Sequence, residues 1–144
     1  MFRVTRQYRF AASHRLHSPE LSDEENRRVY GKCNNPFGHG HNYVLDVSAR
    51  GPVSEHTGWA VDVRTLDTLV SRLVLEPFDH HNLNEDAAAF ANIPPTTENL
   101  SVEICRRLKR YWKEVFPGEW PQLEKVRIAE TAKNIFEVKA DEVE

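Results

Sequence analysis

An α+β domain, built as a four-stranded antiparallel sheet with two helices on one face, is what this sequence predicts. Three observations lead there. Apolar residues recur with period two near both ends of the chain and with period 3.6 in its middle. The resulting order is strand, strand, helix, helix, strand, strand (ββααββ), which suits an antiparallel sheet with its helices gathered on one side. No internal repeat, low-complexity tract or linker interrupts the 144 residues, so 1–144 reads as one domain, long enough to withdraw roughly two-thirds of its extended surface from water.

The first strand follows from the alternation of Phe2, Val4, Arg6, Tyr8, Phe10, Ala12 and His14 against Arg3, Thr5, Gln7, Arg9, Ala11 and Ser13. Residues 15–38 hold Pro19, the acidic run Asp23-Glu24-Glu25, Gly31, Pro36 and Gly38, which is loop chemistry with at most a short helical piece. Alternation resumes at His39, His41, Tyr43, Leu45, Val47 and Ala49, and Gly51-Pro52 closes this second strand. Asp62 is a good N-cap for a helix whose apolar stripe is Val63, Leu66, Val70 and Leu73, and Pro77 is expected to end it. The stretch FDHHNLNEDAAAFANIPP reads mostly as loop. Thr96-Thr97-Glu98 opens a second helix, with Leu100, Ile104, Leu108, Tyr111 and Val115 on its apolar side and Pro117-Gly118 as its stop. Two strands, Leu123 to Glu130 and Ile135 to Val138, complete the chain around a turn at Ala132-Lys133-Asn134.

Composition narrows the function classes. A net charge of −3 opposes general nucleic-acid binding, which needs a basic footprint, and makes a small molecule the default partner. Arginines interrupt MFRVTRQYRF where an export signal needs an unbroken apolar run, and no segment approaches the length of a membrane span. Two cysteines far apart form no disulfide framework, so a reducing, cytoplasmic home is expected.

The chemistry gathers at strand ends. His39 and His41, two apart on a strand, share a face, with Gly40 leaving room between them. If the first two strands are antiparallel neighbours, the end of one lies beside the start of the other, and His14 joins the pair. Three neutral imidazoles suit Zn²⁺ with an open fourth position; iron or another divalent ion fits the same donors less distinctively. For any single strand-end histidine a half-buried polar role is the ordinary explanation, but three delivered to one corner favour a metal. His17 ranks second as a ligand, and His56 reads as surface loop.

Cys33, six residues before His39, has two readings: a fourth ligand closing a structural site, or a thiolate held near the metal as base or nucleophile. Cys105 lies inside a helix and reads as a small core residue. Asp79-His80 offers a proton relay for a thiolate base, or merely a solvated loop; spacing does not choose between them.

Taken together, FAASHRL, CNNPFGHGHNY, FDHHNL, PTTENL and VRIAET resemble the 6-pyruvoyl-tetrahydropterin synthase family, which also contains the 6-carboxy-tetrahydropterin synthase of queuosine biosynthesis. The resemblance runs in order from the first strand to near residue 131. It implies the tunnelling fold (T-fold), in which three subunits close their sheets into a barrel and two trimers stack as a homohexamer. It implies zinc on His14, His39 and His41, Cys33 as general base, and Asp79 and His80 reaching that base from a neighbouring subunit. Glu130 falls at the family's pterin anchor, where a carboxylate can accept two hydrogen bonds from the pterin's amino edge. Thr96, Thr97 and Glu98 would lie near the pterin, although plain N-capping also explains them.

The reaction so implied is conversion of 7,8-dihydroneopterin triphosphate to 6-pyruvoyl-tetrahydropterin with loss of triphosphate, a step in tetrahydrobiopterin biosynthesis. Arg9, Arg15 and Lys32 are candidates for cationic positioning of the triphosphate. Five residues between Cys33 and His39 resemble the pyruvoyl branch, whereas Asp62 in GWAVDV resembles the carboxy branch, and His81 stands where lysine is frequent. The alternatives are therefore the carboxy product, with acetaldehyde released, and a non-catalytic zinc- or pterin-binding assembly module.

Overall fold

The computed structural model describes residues 1–86 and 88–144. Strand β1 (Phe2–His14) and strand β2 (His39–Gly51) pair antiparallel over their whole lengths, from Phe2 opposite Gly51 to His14 opposite His39. Strand β4 (Gln122–Ala129) pairs antiparallel with the other edge of β2, through a bulge at Ser48/Ala49, and β5 (Ile135–Lys139) with the far edge of β4. These four strands lie within one or two residues of the predicted ones.

The expected four-stranded sheet needs one correction. A two-residue strand, β3 (His81–Asn82), adds parallel to Ala12 and Ser13, making a mixed five-stranded sheet in the order β3-β1-β2-β4-β5. It carries no period-two pattern of its own and exists because the chain leaving the helical layer is clamped to the edge of β1. Part of the predicted loop 78–95 is thus ordered structure; position 87 lies outside the described residues.

The helical layer is also richer than two helices. A first helix, α1 (Asp23–Tyr30), is capped by Ser22, whose hydroxyl accepts from the Glu25 amide, with acids in its first turn and arginines in its last. Helix α2 (Val63–Val70) starts at the predicted cap: Asp62 accepts from the Arg64 and Thr65 amides. It continues as a π turn (Ser71–Leu75) into α3 (Glu76–Phe78). Pro77 therefore does not end the helix. It sits where the new turn begins, and there proline's missing N–H costs little. A single turn, α4 (Leu83–Asp86), precedes the long α5 (Thr97–Val115), which is capped by the Thr96 hydroxyl.

The core lies between sheet and helices. Tyr43, Leu45, Val47 and Ala49 of β2 meet Leu66, Leu69, Val70 and Val74 of the α2 run and Leu100, Ile104 and Leu108 of α5. Cys105 is buried among them, as expected, and burial pushes its thiol up to about 11, so it is chemically quiet. Arg6, which breaks the apolar face of β1, forks onto the Asp67 carboxylate of α2, and the Tyr8 hydroxyl donates to the same carboxylate. Among the described residues no helix is long and apolar enough to cross a membrane.

Replacing Leu45, which is fully buried, by alanine is expected to lower unfolding free energy by about 2–5 kcal/mol in urea titrations. Removing the Asp62 cap with Asp62→Ala is expected to cost about 1 kcal/mol.

Candidate active site

The β1/β2 register sets the site. His14 pairs with His39, and Ala12 with His41, so the end of one strand and the start of the next deliver three imidazoles to one corner. The His41 ring centroid lies 4.7 Å from those of both His14 and His39, edge-on to each. His14 is wholly buried and His39 is exposed at the strand mouth.

His14 is held on both sides. Its Nδ1 lies 3.0 Å from the Pro95 carbonyl, which can only accept, so Nδ1 carries the proton and Nε2 presents a lone pair. That Nε2 is 3.0 Å from Nε2 of His41. The Tyr43 hydroxyl adds a longer contact, 3.4 Å from Nδ1 of His14. Gly38, with φ of +82°, carries the loop over the His14 backbone, where a Cβ would stand 3.1 Å from the His14 carbonyl oxygen.

Cys33 enters from a 3₁₀ turn (Gly31–Asn34) tied to the end of β1 by the bond from the Leu16 amide to the Cys33 carbonyl. Donor atoms of His14, Cys33 and His41 lie within 4.8 Å of one another. The Glu130 carboxylate, just beyond β4, approaches to 3.3 Å from Nε2 of His41 and 3.9 Å from Nε2 of His14. The converging donors thus differ from the sequence-based set: Cys33 joins His14 and His41, while His39 packs against His41 outside that group. His17 is engaged by the Asn34 side chain.

Burial governs the protonation of this corner. It lowers His14 to about 4, helped by the neighbouring imidazoles and opposed by the Pro95 bond. It lowers His41 as well, with the Glu130 charge opposing. The Cys33 thiol is pushed up, first by burial and then by Glu130. Neutral imidazoles with converging Nε2 atoms, beside a sulfur and a carboxylate, form a nitrogen- and sulfur-rich donor set that fits Zn²⁺.

The other candidate residues sit apart from these donors. Thr96 caps α5, Thr97 is buried just after it, and Glu98 is exposed in the first turn. Among the described residues the Thr97 hydroxyl makes no hydrogen bond of good geometry, although it lies near enough to the Tyr43 phenol to oppose the upward shift that burial gives it. Asp79 and His80 stand at the β3 edge with the His80 ring in solvent. Arg9 and Lys32 are exposed, and Arg15 donates to the Asn34 carbonyl. Sequence reasoning missed the supports of His14. Tyr43 was discoverable, being on the same alternating face as His39 and His41; the Pro95 carbonyl leaves no sequence signal.

The depressed His14 basicity has a pH consequence in metal-free protein. Its folded value lies below the ordinary 6.5, so its contribution to stability is whole above about pH 6.5 and is lost as pH falls towards about 4. Urea unfolding of chelator-treated protein is expected to show that acid slope, and His14→Gln to flatten it.

A family model described as 6-pyruvoyl tetrahydropterin synthase matches residues 3–141. The 6-pyruvoyl tetrahydrobiopterin synthase of Poecilia reticulata is 45% identical over 132 residues, covering 92% of this chain and 86% of that one. The human protein of the same name is 41% identical over 138 residues, covering 96% and 91%. Among solved structures, the Caenorhabditis elegans 6-pyruvoyl tetrahydropterin synthase superposes with a TM-score of 0.84 at 42% identity, over 96% of this chain and 94% of that one. With the match extending over nearly the whole chain, this protein belongs to the 6-pyruvoyl tetrahydropterin synthase family.

Proposed function

We propose that this lyase converts 7,8-dihydroneopterin triphosphate to 6-pyruvoyl-tetrahydropterin, releasing triphosphate, in a zinc-dependent reaction with Cys33 as general base. The observation that carries the reading is the convergence of His14 and His41 Nε2 atoms on one point beside the Cys33 sulfur and the Glu130 carboxylate. Relatives named for the pyruvoyl product support that branch over the carboxy one.

The proposed zinc holders are His14, His39 and His41. When bound, the metal supplies a Lewis acid that acidifies the substrate side chain's C–H bonds and offsets the enediolate-like charge. Cys33 accepts that proton on Sγ. Burial and the Glu130 charge raise its thiol, and positive charge placed beside the sulfur favours the thiolate. Glu130 takes the pterin's amino edge, and Thr96, Thr97 and Glu98 supply polar groups at the start of α5. The exposed His80 moves the proton onward from a neighbouring subunit, with Asp79 beside it. That arrangement needs an assembly of copies, for which the homohexamer of stacked trimers is our proposal, and a cytoplasmic setting suits the free thiols.

Incubation of purified protein with substrate and Zn²⁺ is expected to yield the pyruvoyl product; acetaldehyde as the main by-product would assign the carboxy reaction instead. Cys33→Ala is expected to keep its zinc, measured by elemental analysis, while losing activity on the order of 100-fold or more. Loss of the metal together with activity would make Cys33 a ligand, and the converging His14, Cys33 and His41 donors would then be the metal site itself.

A further inference from the structure

The segment that carries Cys33 belongs to no sheet ladder. Between β1 and β2 the regular structure is α1 and the 3₁₀ turn Gly31–Asn34, so side chains must hold the rest in place. Two buried asparagines do so. Asn26 closes the loop onto the start of α1: its Oδ1 accepts from the Ser18 N–H at 2.7 Å, and its amide nitrogen faces the Ser18, Leu21 and Ser22 carbonyls at 2.9–3.2 Å.

Asn34, 5% exposed, acts on the turn itself. Its amide nitrogen donates to the Leu16 carbonyl at 2.7 Å and stands 3.1 Å from Nδ1 of His17. A carbonyl can only accept, so the Leu16 contact fixes which end of the amide is nitrogen, and Nδ1 of His17 is then the acceptor of its other hydrogen. Leu16 in turn donates its N–H to the Cys33 carbonyl at 2.7 Å. Both backbone groups of Leu16 are therefore taken by the Cys33-Asn34 dipeptide. Arg15, between Leu16 and His14, has its own N–H and carbonyl bound by the Asn84 side chain of α4, at 2.6 and 2.9 Å. Residues 15–17 thus form a fixed extension of the strand that carries His14. An amide that served only its own turn would bond within it; this one directs both donor hydrogens across to that extension.

We infer that Asn34 is a positioning residue for the reaction: its side-chain amide ties the 3₁₀ turn to Leu16 and His17 and so sets the Cys33 sulfur beside His14 and His41. The inference rests on the proposed role of Cys33 as base and extends it to the group that aims the sulfur. His17, which stands outside the converging donors, is the other half of the tie.

Asn34→Asp keeps the size of the side chain, removes both donor hydrogens and sets an oxygen against the Leu16 carbonyl. His17→Phe keeps a ring and removes only the acceptor. In steady-state kinetics of the zinc-loaded full chain with 7,8-dihydroneopterin triphosphate, Asn34→Asp is expected to lower kcat about 10- to 100-fold, with KM within about threefold and zinc content near wild type. His17→Phe is expected to lower kcat about threefold to tenfold. Labelling by iodoacetamide, located by peptide mass, reads the sulfur without turnover. Cys33 should label at least about fivefold faster in Asn34→Asp than in wild type, while the buried Cys105 keeps its wild-type rate. A more accessible thiol that catalyses less well is the signature of a misplaced base. If either kcat or Cys33 labelling in Asn34→Asp stays within about twofold of wild type, the inference is overturned. Cys105 labelling that rises in step with Cys33 also overturns it, because the substitution then acts by general loosening. Should Asn34→Asp not fold, His17→Phe decides alone, and unchanged kcat and labelling there overturn the tie. Wild-type protein that makes no pyruvoyl product would instead defeat the functional reading, leaving the labelling rates to judge the tie.

Discussion

The antiparallel register of β1 against β2 is the constraint on which the site depends. Because side chains alternate with a period of two, a slip of β1 by one residue would turn His14 away from His39 and His41 and turn the apolar face of β1 away from the core. The same bonds that bury Tyr43, Leu45 and Val47 therefore align the imidazoles. Stability and chemistry share one ladder, and the core enforces the geometry that the site needs.

Electrostatics gives that corner its character. Three imidazoles, a thiol and a carboxylate within a few ångströms would repel or neutralise one another if all were charged, and burial settles the matter by keeping His14 and His41 neutral and the thiol protonated. The Pro95 carbonyl then chooses the His14 tautomer. What remains is a His14 Nε2 lone pair 3.0 Å from the Nε2 of His41, a pair of ring nitrogens that a single proton bridges and a cation could take over.

Much of this was legible in the sequence, for local reasons. Strands β1 and β2 announce themselves by alternation, Asp62 and Thr96 by cap chemistry, and the meeting of His14 with His41 by combining period with antiparallel order. What escaped was non-local. Pro77 looked like a helix stop because a sequence does not disclose a π turn that shifts the hydrogen-bond pattern just before it. Strand β3 is too short for any period and is imposed by contacts to Ala11 and Ala12. Side-chain direction is likewise a tertiary matter: His39 shares a face with His41 as predicted, yet Cys33, arriving on a loop, is the donor that converges. Glu130, singled out through the family resemblance, lies with its carboxylate beside His41 and His14.

The π turn at Ser71–Leu75 amounts to an extra residue lodged in an otherwise continuous screw. Excising one residue there would restore an unbroken α-helix and rotate everything downstream by about 100° around its axis. Leu75, whose carbonyl receives the Asp79 amide, would carry that change of phase into the turn at the sheet margin. The irregularity is in this sense a gearing element, and its length sets the angle at which one layer of the molecule hands the chain to the other.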